Sequence, residues 1–212
     1  MKSLALKISM AVLSMIPLVA KAELIVLASP QSNDAYYAKM IDDIFDFHVD
    51  YAKKIIKNGD NVVVLMGKGL YPDYVKALGK KHVAIAPMHD IWMRDFTSAN
   101  PAQPLMFRYT AAGQGGAKKG QTISDEVQDE FKYYSQKAGL QFTQSKLLND
   151  GGNWVENGYG NLVLSTKFLA DNKLTESEAR KKLMALTGAK QIAFIEADEQ
   201  GGLEHADGVV SF

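Results

Sequence analysis

Short, unbroken apolar runs alternate with amphipathic stretches along most of this chain, and the alternation leaves few architectures open. Residues 24–28 (LIVLA), 62–66 (VVVLM) and 82–86 (HVAIA) read as strands covered on both faces. Between the first two, Tyr37, Ile41, Ile44, Tyr51 and Ile55 recur at helical spacing over 34–57, with Gly59 as a stop. Residues 71–78 predict a short helix. The second half resumes with a strand over 105–109, a helix capped by Thr122 and Asp125 running to Ala138, and a strand over 141–147. A hairpin follows, its arms at 154–156 and 161–165 flanking Asn157-Gly158-Tyr159-Gly160. Thr175 caps a helix to Leu186, and 191–196 returns as a strand. Strands and helices that alternate in this way predict an α/β class. The glycine-rich stretch 112–120 (AGQGGAKKG) reads as a flexible loop.

The N-terminus carries an address. MKSLALK is basic, ISMAVLSMIPLV is apolar, and Ala20-Lys21-Ala22 is a small-x-small cleavage site. Residues 1–22 therefore read as a secretory signal peptide, too short to span a bilayer, with cleavage after Ala22 and a secreted or periplasmic product. The remaining 23–212 is long enough for one domain with a substantial core. The whole chain balances 24 Lys+Arg against 24 Asp+Glu. Loss of Lys2, Lys7 and Lys21 leaves it about three charges negative, with no basic excess for nucleic acid or an anionic membrane. The 212 residues contain no cysteine, which excludes disulfides, thiolate metal sites and an internal cysteine nucleophile.

Polar residues gather at the ends of apolar strands in three places: MHDIWMRD at 88–95, NDGGNW at 149–154 and EHADGVVSF at 204–212. Taken singly each has a bland reading. Trp92 suits a core, with Arg94 and Asp95 a solvated pair. DGGN suits a turn, since Gly and Asn tolerate positive φ. His205 and Asp207 suit an edge strand, where residues two apart share a face.

Together and in this order, IWMRD at 91–95, DGGNWVENGYGNLVLSTKFLADN at 150–172 and HADGVVSF at 205–212 resemble the agmatine deiminase and bacterial peptidyl-arginine deiminase branch of the guanidino-group-modifying superfamily. The resemblance implies the pentein fold, a five-module α/β propeller of ββαβ units. The chain would cover about three of the five, a partial α/β propeller truncated at the C-terminal side, with EHADGVVSF an internal strand of a longer relative. It implies that Asp95 and Asp207 grip a guanidinium from two sides and that His205 is the general acid/base. Asp150 would shape the pocket, with Trp92 and Arg94 as further substrate-binding candidates. The family's nucleophile is a cysteine near its C-terminus, and no metal or organic cofactor is implied.

The chemistry agrees with those roles. A guanidinium is a planar fork of donors that pairs bidentately with carboxylates, so two aspartates can align its central carbon for attack. A thiolate adds to that carbon and a histidine manages the protons. Here the nucleophile is absent, so the expectation is a deiminase-family chain that is inactive alone. Its partner is a guanidino small molecule or peptidyl-arginine, and a second chain would supply the missing modules. Phe96-Thr97-Ser98 after Asp95, where agmatine deiminases carry Gly-Pro, and the signal peptide tilt the substrate toward peptidyl-arginine, with agmatine close behind. The alternatives are a non-catalytic periplasmic guanidinium-binding module, one half of a split enzyme, an amidinotransferase, and a metal site built from His89, Asp90, His205 and Asp207. The last fits no familiar zinc spacing.

Overall fold

The computed structural model describes residues 22–97, 104–110, 117–196 and 205–212. The expected signal peptide lies outside them but for Ala22, as do residues 112–116 of the glycine-rich stretch. Strands β1 (Leu24–Ala28), β2 (Asn61–Met66) and β3 (Val83–Ile85) form one parallel sheet in that order. Helices α1 (Ile41–Asn58) and α2 (Tyr71–Leu78) connect them. α1 buries His48, Ala52 and Ile55, a stripe one turn apart, and leaves Tyr51 exposed. Gly59 ends it at φ 96°, as its position predicts. α1 starts later than expected because the Asp34 carboxylate accepts from the N–H groups of Tyr36 (2.8 Å) and Tyr37 (3.4 Å) and holds a turn there. His82 falls in a 3-10 turn (Lys80–His82) before β3, its Nδ1 3.1 Å from the Val62 carbonyl.

The short helix α3 (Met93–Phe96) leads to β4 (Leu105–Tyr109), which pairs in parallel with β5 (Thr143–Asn149) across helix α4 (Ala117–Lys137). The β4 register shifts between Met106 and Arg108. The irregularity lets Leu105 and Phe107 face one core while Met106 and Tyr109 face another. α4 begins before the expected Thr122 cap. That threonine instead donates to the Lys118 carbonyl inside the helix (3.2 Å), and Asp125 pairs with Arg108 at 2.6 and 2.8 Å.

The third sheet holds β6 (Val155–Glu156), β7 (Asn161–Ser165) and β8 (Gln191–Ile195). β6 and β7 are the expected hairpin, with Gly158 and Gly160 at φ 71° and 96°. β8 adds in parallel beyond α5 (Lys167–Asn172), which the sequence reading omitted, and α6 (Glu176–Thr187). Thr175 caps α6 in a reciprocal capping box with Glu178.

Residues 205–212 are not the expected strand. Asp207 N–H donates to the Gly152 carbonyl (3.0 Å), and the N–H groups of Val209 and Val210 fold back to Ala206 O, making a 3-10 turn over Ala206–Gly208. Those bonds consume donors that a ladder would need. Among the described residues no helix is long and apolar enough to cross a membrane.

Candidate active site

DGGN is the junction at which the three polar blocks meet. Gly151 N–H donates to the Asp95 carbonyl (3.0 Å), and a Cβ on Gly151 would collide with the backbone oxygen of Arg94. Gly152 accepts from Asp207 N–H, and a Cβ there would collide with the His205 ring. Neither glycine has positive φ, so the pair is required by close approach of neighbouring segments, not by the left-handed turn that the motif suggests. Asn153 fixes the junction to the third sheet. Its Oδ1 accepts from Ser165 N–H at the end of β7 (2.6 Å), and its Nδ2 donates to Asn149 Oδ1 (3.1 Å).

The side chains converge accordingly. Asp150 is buried, with Oδ1 accepting Asn153 N–H (2.9 Å) and Oδ2 3.1 Å from His205 Nε2. This contact is the largest cause of a raised His205 pKa, against burial, which lowers it. The other ring nitrogen, Nδ1, lies 4.0 Å from Asp207 Oδ1. Asp95, on α3, has its pKa raised from 3.8 to about 6, first by burial and then by Asp150, with His205 opposing. A carboxyl in that condition gains its charge most readily when a cation arrives.

Arg94 points into the same cluster but not as a ligand for a cation. Its Nε lies 2.8 Å from Asp207 Oδ2, and its Nη2 donates to the Trp154 carbonyl (3.0 Å). Trp92 is 62% exposed, so it lines the cavity and is not core. The cavity, about 700 Å³, also takes in Tyr36, Tyr37, His89, Asp90 and Tyr109. Nothing in the sequence marks Asp90 as a positioning group. It is buried, and its Oδ1 accepts from Tyr37 OH (3.2 Å) and the N–H groups of Ile91 (2.7 Å) and Trp92 (3.4 Å). It thereby anchors the turn that presents Trp92. Burial, then Asp90, pushes the Tyr37 hydroxyl pKa well up.

Among the described residues, Asp95, Asp150 and His205 bring one ligand atom each within 4.8 Å of one another. The metal set considered from sequence does not gather: His89 faces Glu130 at 3.7 Å instead. Three carboxylates around one imidazole, with water largely excluded from Asp150, suit a compact organic cation equally well.

The small sheets form a partial α/β propeller, and the aspartate-histidine cluster lies where its modules meet. The sequence model for Porphyromonas-type peptidyl-arginine deiminases matches residues 14–212, and the chain belongs to that family. Solved structures share the fold. They include C. jejuni agmatine deiminase, with TM-score 0.65 and 19% identity, covering 84% of this chain and 54% of that one. The C. jejuni enzyme with substrate bound gives 0.67 and 17%, covering 91% and 59%. The agmatine deiminase of Enterococcus faecalis gives 0.65 and 15%, covering 90% and 55%. No curated protein matches the chain. The chain thus spans little more than half the length of these structures.

Proposed function

We propose that this chain is an exported guanidinium-binding unit of a deiminase, acting on the guanidino group of peptidyl-arginine or agmatine. The observation that carries the reading is the convergence of three separated blocks on one place: Asp95, His205 and Asp207 line a single cavity, and Asp150 is buried against His205. Asp95 and Asp207 take the edges of the planar cation, and Trp92 offers an aromatic face beside it. The cation's charge offsets the desolvation and the repulsion from Asp150 that raise Asp95. His205, whose protonated form Asp150 favours, gives a proton to the departing ammonia and afterwards takes one from the attacking water. The covalent step of the family's chemistry uses a thiolate, and these 212 residues hold no cysteine. Turnover therefore needs a thiol from outside them, and the polypeptide alone binds without turning over.

Titration with agmatine and with an arginine-containing peptide, alongside a time course for ammonia release, tests the reading. Saturable binding without turnover is expected, weakened about tenfold or more by Asp95→Asn, the loss of one charged hydrogen-bonding partner. Sustained ammonia release would remove the claim of inactivity, and unchanged binding by Asp95→Asn would remove the clamp. The absence of cysteine also favours a second reading, a non-catalytic guanidinium-binding module. Restored turnover on adding a polypeptide that bears the family's cysteine region separates a split enzyme from such a module.

A further inference from the structure

We infer that Arg94 is a tethered competitor for the guanidinium site: its own guanidinium occupies Asp207, and a ligand binds by displacing it. The inference rests on the reading above that Asp207 receives the ligand's guanidinium. The geometry is specific. Arg94 Nε engages Asp207 Oδ2 at 2.8 Å, while Oδ1 of the same carboxylate turns toward His205 Nδ1 at 4.0 Å. An incoming guanidinium therefore finds one oxygen of Asp207 taken by a group of its own kind. Both ends of the pair are held in place by backbone. Gly151 packs against the Arg94 carbonyl, and Asp207 N–H is bonded to Gly152 O.

The pair is also exchangeable. The Arg94 side chain is 59% exposed and that of Asp207 33%, so water and a ligand reach both. When Arg94 leaves Asp207, it keeps a foothold through Nη2 on the Trp154 carbonyl (3.0 Å). A guanidinium that binds only the Arg94-free state has an apparent Kd equal to its intrinsic Kd divided by the fraction of time Asp207 is unoccupied. For an exposed ion pair that penalty is about two- to sixfold. Arg94 thus sets a threshold: a ligand engaging Asp207 alone competes poorly, whereas one engaging Asp95 as well wins.

The test is a four-protein cycle with agmatine as the probe, followed by NMR titration of the chain: wild type, Arg94→Gln, Asp207→Asn and the double variant. Gln at 94 keeps a donor for the Trp154 carbonyl, and far-UV circular dichroism with thermal melting shows that each variant is folded. The expected result is tighter binding by Arg94→Gln, about two- to sixfold, with no gain from the same change in the Asp207→Asn background. Weaker binding by Arg94→Gln overturns the inference and makes Arg94 a positioning residue for Asp207. An equal gain in both backgrounds overturns it too, since that is the long-range effect of removing a positive charge. If Asp207→Asn binds agmatine as well as wild type, or no variant binds it, the underlying guanidinium reading fails as well.

Discussion

Asp95 and His205 titrate in the same direction as seen by a cationic ligand, and this fixes a pH dependence. Below about pH 6 Asp95 is neutral, and His205, its pKa raised by Asp150, carries a positive charge. A guanidinium then meets less attraction and more repulsion. Agmatine affinity should rise as pH increases from 5 to 8, measured as Kd at fixed ionic strength. A flat profile would contradict the assignment of these two groups to the site. Stability runs the other way. The native state holds the Asp95 proton between pH 3.8 and about 6, where the unfolded chain has lost it, so folding weakens as pH rises across that interval. The contribution of protonated His205 is full below about pH 6.5 and is lost as pH rises through its higher folded value. The two glycines of DGGN differ as well. Gly151→Ala meets backbone and should cost about 1–3 kcal/mol or more, whereas Gly152→Ala meets a side chain that can swing away. The second variant should melt closer to wild type but lose the Asp150 contact, bringing the His205 pKa measured by NMR down. The blocks that carry these residues were legible in the sequence as a set. What each residue touches was not: spacing does not reveal that Gly151 and Gly152 are small for the sake of other segments, or that Arg94 turns back on Asp207.

The elements divide by how local their causes are. The hairpin at Asn157–Gly160, the Gly59 stop and the Thr175 capping box follow from neighbouring residues, and all three stand where the sequence puts them. The start of α1, the extension of α4 past Thr122 and the turn at 206–208 depend on bonds to distant backbone or on competing local bonds, and periodicity is blind to them. Gln128 is the clearest such case. Fully buried on α4, it donates to the carbonyls of Phe96 (3.2 Å) and Phe107 (2.7 Å) and accepts from Tyr109 N–H (3.3 Å). It ties α4 to β4 and to the end of α3, the helix that carries Asp95. Gln128→Leu strands those backbone groups and should cost about 1–3 kcal/mol for each one left unsatisfied, read from a chemical-denaturation midpoint. Agmatine affinity should fall with it, since α3 loses an anchor. Wild-type stability in this variant would show that packing, not these bonds, holds α3.

At the scale of the whole molecule, β4 is the seam. Its residues face two cores, one formed with α3 and α4 and the other with the third sheet, where Phe107 meets Trp154 at 5.3 Å and Phe168 at 6.2 Å between ring centroids. Phe107→Ala should cost about 3–5 kcal/mol and lower the Tm of the whole chain in a single transition. Two separated transitions would mean that the third sheet folds independently of β4. The same seam explains how residues more than fifty positions apart share one cluster: Asp95 precedes β4, Asp150 follows β5, and β7 braces Asn153. The measurement that bears most directly on the proposed site is a crystal structure of the chain with agmatine bound. The prediction is a guanidinium between Asp95 and Asp207, near His205, with Arg94 moved off Asp207. Agmatine bound elsewhere, for example in the cavity of about 410 Å³ beside the β6–β7 hairpin, with Arg94 still on Asp207, would contradict it.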